Sequence, residues 1–361
     1  MMKTKHLYIH VPFCKNICAY CDFTHRVYDE TLADRWLSRL EKEFMECVGE
    51  EYETIYIGGG TPTSLNVKQL NRLLNLVKPY SFKTAEYTVE ANPENLSEDK
   101  IVMLKEYGVN RISIGLQSSD DNELRLMMRH HSFNDVENRI ELLRKHGINN
   151  ISADIIYSLP NQNMESLKKT IDDVLSLKLP HLSIYSLTIE PNSIFGKKGL
   201  NHLDDETEAS MYEYIVSKLS EEGYIQYEVA NFAKAGYESK HNLGYWNFDD
   251  YRGLSCGSTS KLHHCLYDKT KNITEYINGT KLIETKDELS LKDECFEQVM
   301  MSLRTIYGLD LELFKKRYGM DALKMYEKAL NKNANSFIIK DDHLICTKRN
   351  ILNTVLLDFL D

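Results

Sequence analysis

The sequence has no apolar run near the ~20 residues that cross a bilayer, which excludes a membrane-spanning helix. It is short of basic charge: 44 Lys and Arg against 54 Asp and Glu leave a formal net charge of -10. That speaks against nucleic acid, whose phosphates need a basic surface. Peripheral contact with a membrane stays open. No internal repeat and no low-complexity segment interrupts the chain. The opening MMKTKHLYIHVPF lacks the unbroken apolar stretch of a secretion signal and is expected to form a first strand. There are eight cysteines and no such signal. The expected compartment is therefore the reducing cytoplasm, where clustered thiols serve as metal ligands or catalytic groups.

What is present suits a globular protein. The 361 residues are 42% hydrophobic and 27% charged, enough chain for two domains or one large α/β barrel with an appendage. Strand-like runs alternate with amphipathic ones. KHLYIHVPF, TIYIGGG, AEYTVEANP, RISIGLQS, NISADIIYSLP and HLSIYSLTIE are expected strands, each followed by a stretch of helical periodicity. Six β-then-α units in series predict a parallel sheet with right-handed crossovers, curled into a partial (β/α)6 barrel. In such folds chemistry sits at the C-terminal strand ends. After about residue 235 the rhythm breaks into a glycine- and aromatic-rich stretch, expected as a long loop or a sheet extension. From about residue 270 the chain turns helical and closes with a β-wing and a last helix, a small winged-helix-like module.

Three cysteines crowd into FCKNICAYCDF: Cys14, Cys18 and Cys21. Three thiolates can hold three corners of a [4Fe–4S] cube and leave the fourth iron open to an outside ligand. Structural zinc is the first rival, with His241, His263 and His264 as further donors. Unrelated core thiols are the second. Cys47, Cys256, Cys265, Cys295 and Cys346 are scattered, and each is expected as a small buried hydrophobe.

This C-x3-C-x2-C run after a first strand resembles the signature of the radical S-adenosylmethionine (SAM) superfamily. The resemblance implies a [4Fe–4S] cluster on Cys14, Cys18 and Cys21, SAM chelated to the open iron, and reductive cleavage of SAM to a 5′-deoxyadenosyl radical. It places Tyr20 near the adenine. In IYIGGGTPT the glycines let backbone approach a ligand closely, and Gly59, Gly60 and Thr61 match the motif that contacts the SAM amino group. Glu90 in YTVEANP is a costly carboxylate on an apolar strand; the resemblance assigns it to SAM, with Gln117 and Tyr8. Arg129 suits a carboxylate geometrically, and Asp154 can accept ribose hydrogen bonds.

The whole chain resembles the HemN/HemW group of that superfamily. The carriers are YIHVPFC, CDF, GGGTPT, VEANP, ISIGLQS, DIIYSLP, YEVANFAKAGYESKHNLGYW and LLDFL. The group contains oxygen-independent coproporphyrinogen III dehydrogenases and haem chaperones. The dehydrogenases carry a fourth cysteine two residues after the third, where this chain has Phe23. The stretch from His241 to Trp246 resembles the HNxxYW motif of the chaperones, which implies haem contact by His241, Tyr245 and Trp246. The implied domains are a radical SAM core over 1–235, a connecting segment over 236–269 and a HemN-type C-terminal domain over 270–361. The leading expectation is a haem chaperone that carries haem as cargo to client proteins and draws electrons from a reductant. Its rivals are a radical SAM tetrapyrrole enzyme and a cluster-bearing electron-transfer protein. The sequence departs from the group's pattern at Met128 (usually Gly), at Ser118-Ser119 (usually Ser-Phe) and at GLSCGSTS, where Cys256 and Ser258 intrude on Gly-x-Gly-Ala.

Overall fold

A computed structural model describes residues 4–81 and 84–360. Six strands run parallel in chain order: β1 (His6–Val11), β2 (Thr54–Gly59), β3 (Glu86–Ala91), β4 (Arg111–Gln117), β5 (Asn150–Tyr157) and β6 (His181–Ser186). Each leads to a helix: α1 (Glu30–Phe44), α2 (Val67–Val77), α3 (Glu98–Glu106), α4 (Phe133–Lys145), α5 (Met164–Ser176) and α6 (Asp205–Glu221). Capping boxes start three of them, through Asn66 and Gln69, Ser132 and Asp135, and Asn163 and Ser166. The expected six βα units are all present.

Successive side chains on a strand point to opposite faces. One set, including Leu7, Ile9, Val11, Ile55, Ile57, Ile112 and Ile114, packs against the helices in the main core. The other set is polar: His6, Tyr8 and His10 on β1, Glu86, Thr88 and Glu90 on β3, Ser113 on β4, Ser152 and Asp154 on β5. Apolar layers fill the interior of closed barrels of this kind. Here the sheet stays open, and its inner face carries polar groups.

Among the described residues the sheet has 12 strands. Beyond β6 lie β7 (Ile225–Gln226) and β8 (Asn231–Ala233), with β8 antiparallel to β6. The other flank adds β9 (Tyr251–Leu254), β10 (Thr259–Leu262), β11 (Cys265–Lys269) and β12 (Ile283–Glu288). β9 runs parallel to β1, and the rest alternate antiparallel. The glycine-rich stretch is thus a sheet extension. One expectation needs correction: after residue 270 the chain does not simply turn helical. The sequence IETKDE forms β12, fully exposed and without apolar alternation, because pairing with β11 supplies its partners.

Between the flanks lies α7 (Lys240–Trp246). The C-terminal part has its own core, in which Cys295 and Val299 from α8 (Leu291–Ser302) meet Phe314 from α9 (Leu311–Tyr318), Leu344 and Phe359. A three-stranded sheet completes it, β13 (Leu309–Asp310), β14 (Phe337–Lys340) and β15 (His343–Cys346), with β15 central. Among the described residues no helix is long and apolar enough to cross a membrane.

Candidate cluster and cofactor site

The C-terminal ends of the parallel strands open onto a cavity of about 480 Å³. The loop after β1 brings Cys14, Cys18, Tyr20 and Cys21 to its wall. The turn after β2 adds Gly59, Gly60 and Thr61, and Glu90, Gln117, Arg129 and Asp154 complete it. Eleven residues singled out in the sequence therefore share one cavity. No fourth cysteine lines it; the exposed Phe23 stands at the rim instead.

The loop is pressed tightly onto the glycine turn. Thr61 N donates to Phe13 O at 2.7 Å, and a Cβ on Gly60 would come within 2.7 Å of that oxygen and 3.0 Å of Cys14 Sγ. Gly59 has φ +109, and a Cβ there would strike the His10 ring. Both positions need glycine. Gln117 takes the left-handed region without being glycine, at φ 68, where β4 turns off the sheet.

Glu90 accepts from Tyr56 Oη at 2.7 Å and from Gly59 N at 3.0 Å. Burial raises its pKa to about 7, and nearby Asp154 adds to the rise, against the two hydrogen bonds. Burial also raises Asp154, eased by hydrogen bonds from Ser183 and from Ser113. Two carboxyls in one cavity suit a ligand that brings positive charge. Burial pushes the Cys14 thiol up to about 11 and the Cys21 thiol up to about 12. Bare thiols there keep their protons, and a bound metal must displace them.

Among the described residues no three His, Cys, Asp or Glu side chains converge as the ligands of a single ion do. A cubane asks for something else, one thiolate per iron corner, and three thiols on one open cavity fit that donor set.

The sequence alone missed Asn92, Ser113 and His25, all in the cavity wall. Asn92 was visible within VEANP. Ser113 was signalled only by being polar on the inner face of β4. Tyr8 lies behind the wall, with Oη 3.0 Å from His10 Nδ1 and its ring beside Tyr56.

The structure does not bring His241, Tyr245 and Trp246 to this cavity. They sit on α7 at the opposite end of the barrel. His241 is 1% exposed and both its ring nitrogens are engaged, Nδ1 with Thr54 Oγ1 at 2.7 Å and Nε2 with Tyr245 Oη at 2.8 Å. Burial holds its pKa well below the usual histidine range, with His6 and Arg111 adding to the effect. Glu86 accepts from the N–H groups of Lys240 and His241, both at 2.9 Å. Trp246 is half-buried, and its carbonyl accepts from Ser302 of α8 at 3.2 Å. In this arrangement His241 has no nitrogen left for iron.

None of the departures Ser118, Ser119, Met128, Cys256 and Ser258 lines the cavity. Ser118 bonds Glu123, Ser119 bonds Thr170, and Ser258 bonds the carbonyl of Ser255. Cys256 is fully buried. Met128 has φ 59, the left-handed conformation that glycine takes without strain.

Comparison with known proteins agrees with this layout. Residues 8–174 match the radical SAM superfamily and residues 289–352 match the HemN C-terminal domain. The Heme chaperone HemW of Bacillus subtilis (strain 168) is 37% identical over 351 residues, which cover 93% of this chain and 92% of that one. The chain belongs to the HemW family. The HemW of Escherichia coli (strain K12) is 34% identical over 83% of this chain and 82% of its own. In fold, this HemW-family chain superimposes on E. coli coproporphyrinogen III oxidase HemN with a TM-score of 0.86. That match covers 99% of this chain and 90% of HemN at 21% identity, a likeness of fold alone.

Proposed function

We propose that this chain is a cytoplasmic haem chaperone that carries a [4Fe–4S] cluster on Cys14, Cys18 and Cys21, binds SAM, and binds haem for delivery to client proteins. The observation that carries it is the single cavity shared by three thiols and a ring of polar strand-end residues, in a HemW-family chain with Phe23 in place of a fourth cysteine. When bound, the cluster supplies a one-electron centre with one open iron.

The chain's own groups then divide the work. Glu90 would face the positive charge of SAM, Asp154 would accept hydrogen bonds from its ribose, and the Gly59–Gly60 backbone would admit its amino end. Thr61, Gln117 and Arg129 close the polar wall, Tyr20 covers the adenine side, and Tyr8 supports the wall from behind. His241, Tyr245 and Trp246 belong to the base of the barrel, so haem is assigned no ligand there.

Anaerobic reconstitution, iron and sulfide counting, and titration with haem and SAM test the proposal. Four irons per chain and a saturable haem absorbance change uphold it. Zinc in place of iron, or no haem binding, overturns it. Multiple-turnover decarboxylation of coproporphyrinogen III would replace the chaperone role with the dehydrogenase one.

A further inference from the structure

Each of the three cavity thiols meets a side-chain hydrogen-bonding group from a different segment, and Cys18 and Cys21 also bond the neighbouring Tyr20 and Phe23 of their own loop. Thr61 Oγ1 lies 3.7 Å from Cys14 Sγ, Arg129 Nη1 lies 3.4 Å from Cys18 Sγ, and His25 Nδ1 lies 3.7 Å from Cys21 Sγ. Sulfur acceptors take hydrogen bonds at such lengths because the atom is large and soft. Thr61 is 3% exposed and Arg129 is 7% exposed, so water competes little for either.

Asn92 sets the direction of two of them. Its Nδ2 donates to Thr61 Oγ1 at 3.1 Å, which leaves the threonine proton free to point at Cys14. Its Oδ1 accepts from Arg129 Nη2 at 2.8 Å, and Gly115 O accepts from the same nitrogen at 2.6 Å. The guanidinium is fixed in its plane, and Nη1 is left for Cys18. One amide, with no contact to any sulfur, therefore aims a hydroxyl and a cation at two different thiols.

We propose that Thr61, Arg129 and His25 form a shell of side-chain donors around the three cluster thiolates, positioned in part by Asn92, and that this shell sets the reduction potential of the cluster. The inference rests on the cluster assignment above. The physical basis is charge. One-electron reduction of the cluster by an external low-potential donor adds negative charge, much of it on sulfur. Hydrogen bonds and a nearby cation stabilise the reduced form more than the oxidised one and raise the potential. His25 acts as the tautomer with its proton on Nδ1.

The test is an EPR-monitored titanium(III) citrate titration of the reconstituted full chain. His25→Leu, Thr61→Val and Asn92→Leu are each expected to shift the midpoint to more negative potential. Thr61→Ser and His25→Gln, which keep a donor, are expected to stay near wild type. Asn92→Leu discriminates most, because Asn92 bonds no thiol itself and reaches two of them only through Thr61 and Arg129. Midpoints that coincide with wild type in all three donor-loss variants overturn the inference and leave the cluster assignment standing. Absence of a cluster from wild type overturns the assignment itself. If a variant folds by circular dichroism but holds no iron, alkylation of the metal-free thiols decides. Slower reaction than wild type at the cysteine facing the lost donor upholds the shell, and equal rates overturn it.

Discussion

The two ends of the barrel use the same residue types to opposite ends. At the mouth, Glu90, Asp154 and Arg129 line open space beside the three thiols and the donors that face them. At the base, His6, Thr54, His241 and Tyr245 form a chain of hydrogen bonds of 2.7–2.8 Å. Tyr56 touches both: its hydroxyl bonds Glu90 and its ring lies against His241 with centroids 5.1 Å apart. A polar residue inside this barrel is therefore not a ligand by default. At the base, neighbours take both ring nitrogens of His241; at the mouth, Glu90, Asp154 and Arg129 have protein partners too but also face the cavity.

Four substitutions would break or sharpen that contrast. The largest effect is expected at the mouth, where Cys18→Ser should abolish cluster assembly; iron analysis after reconstitution should find little or none, with the fold intact by circular dichroism. Next comes the base. His241→Ala opens a hole and leaves Thr54 and Tyr245 short of a partner, a loss of about 3 kcal/mol. Denaturant unfolding should show it while haem titration stays at wild-type affinity, and a stable variant that no longer binds haem would move the ligand site to the base.

Glu90 gives a smaller, pH-dependent signal. Its folded pKa, raised to about 7, means that the folded state holds an extra proton above the unfolded carboxyl's ordinary value. That stabilisation is complete below pH ~4.5 and is lost as pH rises through ~7. The wild-type melting temperature should fall across that window, and the fall should flatten in Glu90→Gln. SAM, being cationic, should bind the reconstituted wild type more tightly above pH 7 than below it, as Glu90 ionises. The Gln variant should lose that dependence. The smallest effect is outside the cavity, where Met128→Gly relieves a left-handed backbone and should raise stability by about 0.5 kcal/mol.

The mouth was legible in the sequence because its signals are local. Cysteine spacing, a glycine run at a strand end and single polar residues on apolar strands survive in any short window. The base was not. Whether His241 faces a cavity or the barrel floor depends on where α7 lies, and that is set by β9 pairing with β1 across about two-thirds of the chain. The same reason hid β12, whose exposed charged residues become a strand only beside β11. The Met128 departure was visible as a letter, but its backbone angle was not. Asn92 lay in a quoted motif, and only the geometry around it shows two contacts from one amide.

The parallel pairing of β1 with both β2 and β9 sets an order of events during synthesis. β1 gains its second neighbour only once β9, some 245 residues later, has followed it. Until then one of its edges is bare, and the loop that bears the thiols hangs from a half-fastened strand. Insertion of iron and sulfide is thus expected to follow release of the chain, and nascent segments cut short before residue 251 should need a holding chaperone to stay unaggregated.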